Sequence, residues 1–228
     1  MRYKVAIRFA IEGDLRFISH HDTMRLFERA LARSRLPVKF TEGFNPRPRL
    51  SLPLPRAVGV ASVDELLVVQ MREPIQCSDV VGRLSEQMVD GVKLVDVWTL
   101  APGDAIQPGQ AAYELVLSPE RIGPVADAVE RLLAAQRWEI QRQGAGKKGC
   151  KTVDVKAYLS QASLEGDVLR WVTRITSTGS VRPAEILEAV GLEPSSWLHR
   201  IRRTWVDWKA QSADRSGDEP IQSNGEHG

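Results

Sequence analysis

Apolar and polar residues alternate from the start of the chain: Tyr3, Val5, Ile7, Phe9 and Ile11 share one side, which is the period of a strand with one buried face. After a turn at Glu12-Gly13-Asp14 the spacing changes to that of a helix. Ser19 stands as N-cap with Asp22 three residues on, and Met24, Phe27, Ala30 and Leu31 form an apolar stripe that should stop near Pro37. Val38 to Phe40 is extended. Beyond it Pro46, Pro48, Pro53 and Pro55 forbid a helix by removing backbone donors and biasing each preceding residue toward extended geometry. A buried strand over Leu66–Met71, a helix over Val80–Met88 ending near Gly91, and a strand over Val92–Leu100 complete a βαββαβ order.

The stretch from Ala101 to Gln110 has turn composition and no apolar periodicity, which marks a linker. The element order then recurs, with a strand at Tyr113–Leu117, a helix at Ile122–Ala135, and strands at Trp138–Arg142, Val153–Leu164 and Val168–Ile175. A short helix at Ala184–Val190, opened by Arg182-Pro183 and closed by Gly191, precedes a last strand at Ile201–Trp208. The expected fold class is therefore α+β, with two tandem ferredoxin-like (βαββαβ) units and antiparallel sheets. The first unit spans residues 1–100, a linker 101–111, the second unit 112–210, and a tail 211–228, rich in Ser, Gly, Asp and Glu, is expected to be disordered.

Composition excludes more than it identifies. The 228 residues are 43% hydrophobic and 26% charged, ordinary for one large or two small cores. No run approaches the roughly 20 apolar residues of a membrane span, and the opening residues alternate charge with apolar groups, so a cytoplasmic protein is expected. Cys77 and Cys150 have neither the count nor the spacing of a disulfide framework or a zinc site. No disulfide-linked partner is expected, and two distant cysteines cannot hold the cluster of a radical-SAM enzyme, which needs three closely spaced ones. His20, His21, His199 and His227 supply no ligand set with those thiols, so neither metal nor cofactor is expected.

Charge changes the picture because it is uneven. The net charge is only +2, yet residues 1–60 hold 12 Lys and Arg against 5 Asp and Glu, whereas residues 61–100 hold 3 against 7. Clustered cations attract polyanions through counterion release and steering, which makes a nucleic acid or phosphate a candidate partner; a solvated surface is the plainer alternative.

Four segments can carry chemistry. In the first, Ser19-His20-His21-Asp22 opens a helix whose Arg25, Arg29 and Arg33 follow His21 at steps of four. That ridge repels itself unless an anion lies alongside, and the free N–H groups of the first turn favour phosphate; alternatively Asp22 only completes the cap and Glu28 neutralises an arginine. The second is Lys39-Phe40-Thr41-Glu42-Gly43-Phe44-Asn45-Pro46-Arg47-Pro48-Arg49, a stiff basic loop in which Arg47 and Arg49 project to one side. Lys39, Asn45, Arg47 and Arg49 would track a backbone while a base stacks on Phe44; otherwise Phe44 and Leu50 pack into the core. In the third, Gly144 to Lys151, Lys147, Lys148 and Lys151 either cradle phosphates or mark a mobile hairpin tip. It is no nucleotide-binding P-loop, because Cys150 stands where that motif requires lysine. In the fourth, strand alternation places Ile201, Arg203, Trp205 and Asp207 on one side and Arg202, Thr204, Val206 and Trp208 on the other. Arg203 joins the phosphate-binding candidates, and each tryptophan is either a stacking platform or core.

Arg16-Phe17-Ile18-Ser19-His20-His21-Asp22 with Arg25, then Gly43-Phe44-Asn45-Pro46-Arg47-Pro48 and Pro53-Leu54-Pro55, resembles the signature of the radical-SAM-linked protein family. Asp154-Val155-Lys156-Ala157-Tyr158-Leu159 and Ser180-Val181-Arg182-Pro183 resemble its second-half motifs. The resemblance implies a domain that occurs alone or joined behind a cobalamin-binding radical-SAM enzyme, holding or delivering that enzyme's substrate. His21 stands where members of that family commonly have a leucine, which leaves His20 the better candidate. A more distant likeness runs to CRISPR RNA-processing endoribonucleases, which pair two ferredoxin-like units with a late glycine-rich loop.

Three functions follow as expectations. The leading one is an RNA-binding accessory that presents structured RNA to a separate radical-SAM enzyme. A metal-independent endoribonuclease would use His20 as proton carrier for attack by a ribose 2′-hydroxyl. A docking module for the radical-SAM partner would leave the basic face incidental.

Overall fold

A computed structural model describes residues 3–142 and 149–211. The chain is α+β, dominated by one large, mostly antiparallel sheet. Its strands are β1 (Tyr3–Ile11), β2 (Leu50–Ser51), β3 (Ala61–Met71), β4 (Val92–Leu100), β5 (Ala105–Val116), β6 (Glu139–Arg142), β7 (Lys151–Asp154), β8 (Leu159–Glu165), β9 (Val168–Arg174) and β10 (Arg202–Gln211). The helices are α1 (His20–Arg33), α2 (Cys77–Ser85), α3 (Pro119–Ala134), α4 (Val155–Tyr158), α5 (Pro183–Ala189) and α6 (Pro194–Trp197), with 3-10 turns at Gly13–Phe17 and Leu198–Arg200.

The large sheet runs β4-β1-β3-β10-β5-β9-β8, with β2 on β3, while β6 and β7 form a separate hairpin. All its pairings are antiparallel except β3 with β10, a short parallel contact of Arg202 with Ala61 and Arg203 with Ser62. Two expected sheets are thus joined edge to edge as one.

The odd positions of β1 do what their period predicts. Val5, Ile7, Phe9 and Ile11 are buried with Leu67, Val69 and Met71 of β3 under Phe27, Ala30 and Leu31 of α1 and Val80 and Leu84 of α2. Phe9 and Phe27 meet edge to face at 4.6 Å. A second core joins Ala111, Tyr113, Leu115, Trp171 and Leu169 of β5 and β9 to Val125, Val129 and Leu132 of α3 and Ile186 and Leu187 of α5. Ser19 caps α1 as its sequence requires, accepting from the Asp22 N–H at 3.1 Å.

Four expectations need correction. The linker shrinks to residues 101–104, because residues 105–110 belong to β5, paired with the far end of β10. Pro108 is tolerated at an irregularity where it faces Trp208, and a Cβ on Gly109 would lie 2.7 Å from Asp207 Oδ2 and Lys209 Cε, so this strand glycine serves close approach. The strand expected over residues 153–164 is interrupted by α4, since Asp154 Oδ1 accepts from the Lys156 N–H at 3.1 Å and the Trp138 N–H at 3.0 Å, capping a single turn. The strict alternation expected for the last strand holds from Ile201 to Arg203, both buried, and fails at irregularities between Arg203 and Trp205 and between Val206 and Trp208, so that Trp205 is exposed and Val206 buried. The fourth correction is to β2, found at Leu50–Ser51, where Val38–Phe40 contributes only isolated bridges. Of the tail expected at 211–228, Gln211 ends β10 and residues 212–228 lie outside the described residues.

Candidate functional site

The proline-rich segment folds as a hairpin that extends the β2 edge. The Lys39 N–H donates to Gln70 O, the Arg49 N–H to Lys39 O, the Gln70 N–H to Arg49 O and the Thr41 N–H to Arg47 O, each at 2.8–2.9 Å. Phe40 bridges Pro48, so the chain reverses over Glu42 to Asn45. At that reversal the Phe44 ring is fully exposed, beside exposed Asn45 and Arg47. Of the two placements open to Phe44, the core is thereby excluded, although Leu50 does pack against the first core.

Behind the hairpin lies a concavity of about 500 Å³ walled by Lys4, Arg49, Thr41, Val68 and Gln70. Lys4 pairs in register with Gln70 and Leu100, on the face of the sheet opposite the buried Val5 and Val69. Lys4 Nζ donates to the backbone oxygen of Asp104 at 2.6 Å. Arg49 Nε is buried with no partner among the described residues. The hairpin cluster therefore belongs to the face of the first sheet that α1 does not cover.

The arginine ridge sits on the other face. Arg25 and Arg29 are exposed along α1, and Arg25 meets Asp22 at 3.3 Å. Arg33 Nε and Nη2 both donate to Gln87, at 3.1 Å. Ridge and hairpin consequently do not share one concave wall, contrary to the simplest reading of a single basic surface. Lys151 is exposed on the β6–β7 hairpin of the second half, and Lys147 and Lys148 lie outside the described residues.

His20 is half-buried at the start of α1, beside Glu65 and Arg56. Burial lowers its pKa, the charge of His21 lowers it further, and Glu65 pulls the other way. The recess on its inner side offers about 10 Å³, space for one water and not for a ribose phosphate.

Arg203 is not a phosphate-tracking residue. It is buried at the junction of the two halves, where Nη1 donates to Glu65 Oε1 at 2.8 Å, Nη2 to Pro55 O at 3.3 Å, and the guanidinium lies 5.6 Å from the Tyr113 ring. Arg56, which sequence reasoning passed over, lies beside it. Its Nη1 donates to Arg16 O and Val60 O, both at 2.6 Å, closing the turn that leads into α1. The signal was present as charges inside apolar strands: Glu65 precedes Leu66-Leu67-Val68-Val69, and a carboxylate buried there needs a cation.

A family model described as an uncharacterized protein conserved in bacteria, DUF2344, matches residues 4–183. The chain belongs to this family. The DUF2344 match takes in the hairpin, the ridge and the motif at Ser180–Pro183, and stops before Arg203. Among solved structures, the small subunit of acetolactate synthase from Thermotoga maritima aligns with 92% of this chain and 98% of its own at 11% identity, with a TM-score of 0.25. That superposition is too loose to carry an argument. No curated protein matches the sequence. Among the described residues of this DUF2344 chain no helix is long and apolar enough to cross a membrane, and no group of three His, Cys, Asp or Glu is placed to hold a metal.

Proposed function

We propose that the protein is an RNA-binding accessory to a separate radical-SAM enzyme, the partner its motifs imply, and that RNA is received on the hairpin at residues 39–49 and the concavity behind it. We read the fold as two ferredoxin-like units, since β4-β1-β3-β2 and β10-β5-β9-β8 repeat one strand order, each with a long helix after its first strand and a helix before its last.

The observation that carries the proposal is the fully exposed Phe44 ring with Arg47 beside it and Arg49 and Lys4 on the adjoining wall. An apolar ring left in water at a loop tip makes no contribution to folding that an alanine would not make. A base stacked on it would contribute roughly 1–3 kcal/mol, and the flanking cations would take the phosphates. The α1 ridge offers a second, separate phosphate contact. His20 is read as a structural histidine, because its recess has no space for the reacting groups.

Fluorescence anisotropy with a labelled RNA hairpin and a labelled single strand tests the proposal. Binding should weaken steeply from low to physiological salt. Phe44→Ala should weaken it by roughly 1–3 kcal/mol without altering the thermal melt. A protein that ignores both RNAs at low salt is not an RNA-binding protein.

A further inference from the structure

A second concavity, of about 380 Å³, lies between the two halves. Residues 54–57 of the first half form one wall, and the opposite wall comes from Tyr113, Thr173 and Ile175 on β5 and β9 and from residues 180–184 leading into α5. Its size falls within the range of small-molecule sites, and most of its wall is apolar. The charged groups on it are Arg56, Arg182 and Arg203; no aspartate or glutamate lines it.

The buried arginines are more than a structural pair needs. Arg203 is 2% exposed, and although Glu65 answers Nη1, its Nε has no partner among the described residues. Arg56, buried beside it, is held by carbonyl oxygens alone, with no carboxylate within ion-pair distance among the described residues. Glu65 is therefore the one carboxylate directly engaged with this pair of guanidiniums. Asp64, the neighbouring buried acid, is occupied by the Val206 N–H and the Trp208 indole. For stability alone, apolar residues of similar volume do as well as a buried ion pair, and an uncompensated buried cation costs several kcal/mol. Arg182, exposed, is a third arginine among the lining residues.

We propose that this inter-half cavity is a binding site for a small organic anion, with one carboxylate or phosphate directed at the arginine wall and an apolar body against Tyr113, Ile175 and Leu54. The site is independent of the hairpin and does not rest on RNA binding. A carboxylate and a phosphate monoester meet the same guanidinium chemistry, and only titration separates them.

Isothermal titration of the full chain with phenylacetate, phenyl phosphate and the neutral phenylacetamide tests the site. At least one acid should bind at millimolar concentration or tighter, the amide should bind about tenfold or more weakly, and the preferred acid shows which group the wall was shaped for. Ala184→Phe, which places a ring on the cavity wall while leaving all three arginines in the sequence, should abolish binding. Arg182→Gln, a change on an exposed side chain checked by an unchanged thermal melt, should weaken the acid and leave the amide unchanged. Absence of binding by both acids, equal binding of acid and amide, or undiminished binding in Arg182→Gln would each overturn the proposal.

Discussion

At the scale of single residues, burial decides what a charge does. Arg203 has the sequence context of a surface arginine beside a tryptophan, yet it follows the buried Ile201 at a step of two and points inward onto Glu65. Its partner Glu65 stands 138 residues away on β3, a pairing that local alternation cannot register even though a carboxylate inside an apolar strand asks for a cation. Arg203→Met should destabilise the fold by about 3–5 kcal/mol in urea denaturation, because Glu65 is left charged and buried, and adding Glu65→Leu should recover much of the loss. His20 gives a pH test. Its folded-state pKa is lowered by burial first and by His21 second, so the unfolded chain holds the extra proton between that lowered value and about 6.5. Stability owed to the neutral imidazole is full above about pH 6.5 and is lost as pH falls through the folded pKa. The thermal midpoint of the native chain should drop between about pH 7.5 and about pH 5.5, and it should drop less in His20→Asn. An identical profile in the variant would remove His20 as the cause.

Elements were mostly legible where their signals are local. The strand at Val92–Leu100, the cap at Ser19 and the stop at Gly191 sit where apolar period, hydroxyl and glycine place them. The long β5, hidden in turn-like Pro108-Gly109, was misread because it is set by distant pairing, whereas the single turn of α4 has a local signal, the Asp154 side chain capping the Lys156 N–H, that apolar period alone does not register. Glycine makes the same point quantitatively. Gly91 has φ +90°, and a Cβ there would lie 2.9 Å from Glu12 O, the residue whose N–H donates to Gly91 O at 2.8 Å. Gly91→Ala should therefore cost about 1–3 kcal/mol, from backbone strain and from parting the turn after β1. Gly82, inside α2, has open space where a Cβ would go. Gly82→Ala should raise stability by about 0.5–1 kcal/mol, through helix propensity and a less flexible unfolded chain. Urea titrations of the two variants should move in opposite directions.

At the scale of the whole molecule, the hydrogen-bonded, buried link between the two halves predicts that they unfold as one unit. The β3–β10 pairing is only two residues long, but Asp64 reinforces it, accepting from the Val206 N–H at 2.8 Å and Trp208 Nε1 at 3.0 Å, and Arg202 reaches Glu12 across the same seam. Behind Asp64, Ala6 and Leu66 of the first half form a small third core with Ile106 of the second, and Trp208 packs against it. Tryptophan fluorescence, which reports five of six rings from the second half, should therefore melt together with the amide-exchange protection of β1 in the first. Asp64→Ala orphans two donors on β10, at about 1–3 kcal/mol each, and removes their attachment to β3. In that variant the fluorescence transition should separate from the loss of β1 protection. Transitions that still coincide would mean that the third core and the Arg203–Glu65 pair hold the halves together without Asp64. The anion cavity lies on this same seam, so a ligand bridging its two walls should restore the coincidence that Asp64→Ala removes, as binding to the native state alone requires.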